Sequence, residues 1–413
     1  MSTRHVVRAA ALLAACHTNV PTPISPPAPV AAAAELGFDS TRLATVAAYV
    51  ASQVDSAYPG AVVAVGRHGR LALLAAAGHF GTDDPRPVDP QTIYDLASLT
   101  KVIGLTTACM ILVNEGRLDL DAPVQAYVPE FRGLEKDRVT IRHLLTHSSG
   151  LPAWRPLFRE ARDRRTALAL VDTTPLDTVP GAHFVYSDLG AIVLMQVVER
   201  ITGERIDRYL ARRVFEPLGM TSTRYLPPRS WRDRIAPTEI DTAFRHRLIR
   251  GEVHDENAGR MGRVSGHAGL FSDAPDLSRF ASWLLKTYQT EQGARSSTLT
   301  ASSAPPAPCS GLCFSSDIVT RFTHRQGIPP GSTRALGWDT PSDSGYSSAG
   351  TKLSRTSFGH TGFTGTSIWM DPERDVFVIL LTNRVNPTRA NTKILQVRAT
   401  VADLVAEALV ASP

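Results

Sequence analysis

The sequence predicts an α+β protein: one antiparallel sheet assembled from both ends of the chain, flanked by helices, with a helical domain inserted between its halves. Three observations lead there. Two apolar runs in GAVVAVGRHGRLALLAAAG, residues 60–78, flank a Gly-containing turn and read as a β-hairpin. A second strand group, TSIWMD and DVFVILLTN, lies near the other end, with Pro372, Glu373 and Arg374 suited to the turn between them. From about 117 to 335 the spacing is instead helical, around 141–147, 187–202, 204–215 and 275–288, with connections rich in Pro, Gly and Arg.

Residues 40–56 read as an amphipathic helix, with Leu43, Val46, Ala47, Val50 and Val54 on one side, and Arg389 to Leu409 as a closing helix. The expected division is therefore 36–115 with 336–413 as the sheet domain and 116–335 as a mainly helical domain. Within the latter, low-complexity residues 290–316 are expected to be a flexible insertion. Residues 1–35 stand apart as a signal peptide and linker: Arg4 and Arg8 precede the apolar run AAALLAAC, followed by a polar, proline-rich stretch. Leu13-Ala14-Ala15-Cys16 resembles a bacterial lipobox, which would place the protein outside the cytosol, periplasmic or membrane-anchored as a lipoprotein acylated on Cys16. The alternative reading is a disordered, Ala-rich leader.

The 413 residues are 43% hydrophobic and 20% charged, and the net charge of +5 is spread thinly. No Lys/Arg block or nucleic-acid motif is present, so no nucleic-acid partner is expected. No later segment approaches the ~18 apolar residues of a membrane span. Cys109 falls in an apolar pattern and is expected in the core, while Cys309 and Cys313 could close a small loop disulfide in an oxidising compartment. No Cys/His metal spacing is found, and neither metal nor cofactor is expected.

Three stretches could carry chemistry. In DLASLTKVIG, Ser98 and Lys101 are i and i+3 at a helix start, with Leu99, Val102, Ile103, Met110 and Val113 as the apolar face and Gly116 as a stop. A buried lysine beside the positive end of a helix would lose its proton more easily and could act as a base. The bland alternative is an N-capping serine with a solvent lysine. In FVYSDLG, Tyr186 and Asp188 precede a helix near Gly190, and a tyrosine hydroxyl near a lysine can pass a proton between nucleophile and leaving group. Otherwise they are a packed aromatic and an N-cap. In SFGHTGFTGTSIWMD, a strand bearing Gly362 and Gly365 lets a ligand approach, with His360 and Thr361 placed to bind it and a backbone N–H to serve an oxyanion. Otherwise it is an edge strand with Gly bulges.

In this order, Ser-x-x-Lys, Tyr-Ser-Asp and His-Thr-Gly resemble the three signatures of serine β-lactamases and penicillin-binding proteins, most closely the class C-like branch with its DD-peptidases, esterases and amidases. TIRHLLTHSSGLP, GHAGLFSDAPDLSRF and VFVILLTNR add to the resemblance, which covers about residues 36–410. It implies the β-lactamase/DD-peptidase-like fold and a serine hydrolase acting through an acyl-enzyme on amides or esters, with peptidoglycan-derived peptides or small esters as substrates. A β-lactamase and a non-catalytic penicillin-binding or peptidoglycan-sensing module are the alternatives. It also implies Ser98 as nucleophile, Lys101 and Tyr186 as proton carriers, the backbone N–H groups of Ser98 and Phe363 as oxyanion hole, and Asp188, His360, Thr361 and Gly362 as substrate contacts. The runs VHDENAGRMG and SGHAGLFS look more like muramyl-peptide amidases and accessory penicillin-binding proteins than true β-lactamases. His360 stands where the β-lactamases have lysine, and Asp188 where they have asparagine; a carboxylate at 188 could hold Lys101 charged or repel an anionic substrate, and both changes predict weaker binding of antibiotic carboxylates.

Overall fold

Alternation along the strands dictates how the sheet is buried. The computed structural model describes residues 31–297, 312, 314 and 317–410; the leader with Cys16, and Cys309 and Cys313, lie outside the described residues. Strands β1 (Gly60–Arg67), β2 (Arg70–Gly81), β3 (Asp84–Pro87), β4 (Phe358–Thr361), β5 (Ser367–Asp371) and β6 (Val376–Thr382) form one antiparallel sheet in the order β3-β2-β1-β6-β5-β4. The chain's two halves meet at β1 and β6, where Val63 lies opposite Leu380.

Successive side chains leave opposite faces of a strand. Ala61, Val63 and Val65, with Val376, Val378 and Leu380, pack on Leu43, Val46 and Val50 of α1 (Ser40–Ser52) and on Val397, Val401 and Val405 of the closing helix Ile394–Ala408. Val62, Ala64, Phe377, Ile379 and Leu381 face the larger core, which holds Leu277, Phe280 and Leu284 of the helix Ala274–Ser297 and most of the helical middle. Burial of this kind is worth about 1.5–3 kcal/mol per large apolar side chain.

Three local expectations change. Residues 290–297 continue a helix rather than open a flexible insertion. The segment 357–371 is two strands, β4 and β5, joined by a turn at 362–366, because the 362–366 segment folds back with Gly362 N–H donating to Thr366 O and Gly365 at φ +113°. The helix after Ser98 begins as a π-helical stretch, Thr100–Thr106, before becoming α-helical over Thr107–Asn114. Cys109 is fully buried, as its apolar setting predicts.

Candidate active site

Ser98 follows the two-residue strand Tyr94–Asp95, which pairs with Phe271–Ser272 and anchors the turn. Ala97 takes φ +46°, a strained conformation for a residue with a Cβ. The buried Asp95 carboxylate holds it there, accepting hydrogen bonds from Ala97 N–H (2.8 Å) and His254 N–H (2.6 Å). Ser98 is left partly exposed on a cavity floor while its neighbours Leu99, Thr100 and Lys101 are buried.

Lys101 is held by two hydrogen bonds and an ion pair. Nζ donates to Ser98 Oγ at 2.9 Å and to His267 O at 3.1 Å, and pairs with Asp188 Oδ1 at 2.7 Å. Burial alone would push this lysine down. The Asp188 charge, supported by Tyr186, outweighs it, and the ammonium ends above its ordinary range. The expectation of an easily deprotonated lysine is thus reversed: Asp188 is the first residue of the helix Asp188–Thr202, capped by Ser187, and it points its carboxylate at Lys101.

Tyr186 sits over the same lysine, with Nζ 4.9 Å from its ring centroid. Its buried hydroxyl lies close enough to the Lys101 ammonium to help hold it charged, and makes no well-formed hydrogen bond to Ser98. His147, which sequence reasoning did not place in the site, holds Tyr186: the rings lie 4.5 Å apart, His147 Nδ1 accepts from Ser187 N–H at 3.1 Å, and His147 O accepts from Val185 N–H.

On the opposite wall, His360, Thr361, Gly362 and Phe363 close the cavity. Thr364 Oγ1 donates to Asp95 O (2.6 Å) and Thr366 Oγ1 to Leu96 O (3.1 Å), tying this wall directly to the residues before Ser98. A Cβ on Gly362 would lie 2.4 Å from Leu96 O, so only glycine allows the approach. Neither the Ser98 nor the Phe363 amide donates to another described residue. Both border the cavity, the arrangement an oxyanion hole needs.

His360 Nδ1–H donates to Thr361 O at 2.8 Å, leaving a buried, unpartnered Nε2 on the cavity side. Burial, with Arg334 and Lys101 nearby, pushes its imidazole well below the ordinary range, so it is neutral. Positive charge comes from elsewhere. The cavity, about 410 Å³, is lined by Arg334, Arg384 and Arg398, with Arg334 Nη1 and Arg398 Nε unpartnered. Among the described residues, the single acid lining it is Asp339, 3.6 Å from Arg334 Nε. No sequence motif marks these arginines. The weaker carboxylate binding expected from His360 and Asp188 took no account of these arginines.

A second cavity shares Ser98, Tyr186 and Phe363 and is lined by Trp154, Asp188, His254, Asp255, Glu256 and His267. Asp188, Asp255 and His267 bring donor atoms within 4.8 Å of one another, but Asp188 is paired with Lys101 and Asp255 with His267 Nε2 at 2.8 Å.

The comparisons agree with this geometry. The model of the family described as Beta-lactamase matches residues 44–402. A protein of Salmonella agona (strain SL483), named "Putative D-alanyl-D-alanine carboxypeptidase", is 30% identical over 400 residues, covering 87% of each chain. Among solved structures, EstCE1, a hydrolase with promiscuous acyltransferase activity, superposes with a TM-score of 0.67 at 22% identity, covering 88% of this chain and 99% of its own. A penicillin-binding protein homologue from Caulobacter crescentus gives 0.66 at 19% identity, covering 88% and 97%. With the antiparallel sheet and the Ser98–Lys101–Tyr186 cluster in place, the chain belongs to the beta-lactamase family and is a serine hydrolase.

Proposed function

We propose that the protein is a serine carboxypeptidase acting on peptides that end in a free carboxylate, of the D-alanyl-D-alanine type found in peptidoglycan. The observation that carries this reading is the arginine-lined cavity beside Ser98, whose positive charge suits a carboxylate on the leaving group. The name of the Salmonella relative points the same way.

In this mechanism Ser98 Oγ attacks the scissile carbonyl, forming a C–O bond as the C–N bond breaks. Lys101, charged and hydrogen-bonded to Oγ, favours the serine oxyanion rather than removing its proton. The Tyr186 hydroxyl relays the proton in a single concerted exchange, giving its own proton to the departing amine nitrogen as it takes the serine proton, so that it ends neutral; water then enters in the amine's place and the same exchange runs backwards to release the acyl group. The carbonyl oxygen is held by the amides of Ser98 and Phe363. Asp188 sets the charge on Lys101, and His360, Thr361 and Gly362 form the wall against which the peptide lies. The sheet part (36–115 with 336–413) and the helical part (116–335) then meet across the substrate, since Tyr186 belongs to one and His360 to the other. Export, with acylation of Cys16 as membrane anchor, fits such a substrate; labelled palmitate incorporated by the wild type and lost in Cys16→Ser would test it.

A peptide ending in D-Ala-D-Ala and its C-terminal amide separate this function from a general esterase. The free acid should release its terminal residue faster by about 10–100-fold, the worth of one charge-assisted contact of about 1.5–3 kcal/mol. Equal rates for acid and amide, or no release from either, would overturn the assignment. A β-lactam carries a carboxylate too, so the same arginines favour a β-lactamase as second reading; faster turnover of a chromogenic cephalosporin than of every peptide would select it.

A further inference from the structure

We propose that Arg398 is a positioning residue for the oxyanion hole, acting on the Phe363 N–H from the far end of the same peptide unit. The inference rests on the reading that this N–H receives the oxyanion. Gly362 C=O and Phe363 N–H belong to one planar trans peptide and point in opposite directions. Arg398, buried on the closing helix, donates through Nη2 to Gly362 O at 2.5 Å and to Thr366 O at 2.8 Å. Holding the carbonyl fixes the direction of the amide, which is aimed away from the arginine, and Phe363 borders the same cavity as Ser98.

The charge does more than orient. A guanidinium on the carbonyl draws electron density through the conjugated unit and makes the N–H a stronger donor, as hydrogen bonds in series polarise one another. The next peptide is clamped as well. Arg384 Nε donates to Phe363 O at 2.8 Å, with its guanidinium 4.4 Å from the Phe363 ring, while Arg384 Nη1 is anchored on Arg389 O and Asn391 O. Both peptides flanking Phe363 are thus held by buried arginines from the segment after β6, which explains how a loop residue with a half-exposed ring can present its amide reproducibly.

Because Arg398 Nε is also unpartnered beside the cavity, a role in binding the substrate carboxylate is the competing account, and a neutral substrate tells them apart. The test uses the full chain as wild type, Arg398→Lys and Arg398→Met. It measures 4-nitrophenyl acetate turnover, the affinity for phenylboronic acid, fluorophosphonate labelling of Ser98, and melting. Arg398→Met should lower kcat about 10²-fold, at the low end of what losing an oxyanion donor costs, with KM nearly unchanged and boronate affinity weakened in parallel. Arg398→Lys, which keeps a charged donor, should fall between. If the wild type is not labelled at Ser98, the reading of the site fails and this inference with it. Wild type and Arg398→Met labelled equally fast would overturn the inference alone, as would a loss confined to carboxylate-bearing substrates. Should Arg398→Met not fold, an Arg398→Lys variant that melts like the wild type and keeps full kcat would overturn it, and one with reduced kcat at unchanged KM would support it.

Discussion

Replacing Asp188 by asparagine isolates the interaction that sets the charge of the site. The ion pair to Lys101 is 2.7 Å long, with the lysine side chain 4% and the aspartate side chain 20% exposed. At an effective dielectric constant of about 20, the gross attraction at that distance is roughly 6 kcal/mol. Desolvation offsets much of it, and breaking one side of such a pair costs about 3–5 kcal/mol if the remaining charge stays buried. Lys101 has a way out, because it can release its proton, and its desolvation, opposed by Asp188 in the wild type, then dominates.

The sign of the pH effect follows from linkage. In the wild type the folded-state pKa of Lys101 lies above its unfolded value of about 10.4, so the contribution is fully present below that pH and is lost only as pH rises through the folded value. Between pH 6 and about 9 it therefore adds almost no slope, and above that it begins to lower stability as the unfolded lysine loses its proton. In Asp188→Asn the folded pKa falls below the unfolded one, the unfolded chain binds more protons, and stability rises with pH by up to about 1.4 kcal/mol per unit. Urea unfolding at pH 6, 7, 8, 9 and 10 measures this directly. Identical pH dependence for the two proteins would refute the claim that Asp188 holds Lys101 charged. The pH–rate profile for Ser98 acylation should shift with it, since a neutral Lys101 can act as the base.

Three other outcomes follow from the structure. Arg334→Gln should raise KM for the D-Ala-D-Ala peptide by about 10-fold or more, from loss of a charged contact, and raise it less for a neutral ester; steady-state kinetics on both substrates decides. Gly362→Ala should cost stability, about 1–3 kcal/mol by urea unfolding, and most of the activity, because its Cβ would sit 2.1 Å from Thr366 Oγ1 and 2.4 Å from Leu96 O. Cys109, fully buried and with its thiol pushed up by burial, should resist iodoacetamide in the native protein and react on unfolding, as read by peptide mass mapping.

What the sequence revealed divides along physical lines. The continuous apolar runs in 60–78 and 376–382 and the period-3.6 pattern in 40–52 and 188–202 specify local structure, and their placement at both ends and in the middle was enough to expect one sheet built from both termini with helices between. Ser98, Lys101, Tyr186 and His360 could be singled out because three short motifs, each weak alone, together resemble the signatures of serine β-lactamases and penicillin-binding proteins. Whether Lys101 is charged stayed open between two readings, because it depends on where Asp188 points across a helix–helix contact. Arg334, Arg384 and Arg398 carried no signal either; an arginine reads the same on a surface as in a cleft, and only tertiary packing brings these three together. The turn at 362–366 hid for a related reason, since it depends on Gly362 meeting Leu96 from a distant part of the chain.

The central claim is that Ser98 becomes acylated within this cluster. Intact-protein mass spectrometry after a fluorophosphonate or penicillin probe, with peptide mapping, tests it most directly. The account predicts a single adduct on Ser98, absent in Ser98→Ala and formed more slowly by orders of magnitude in Lys101→Ala. An adduct that persists in Ser98→Ala, or that maps to any other residue, would contradict it.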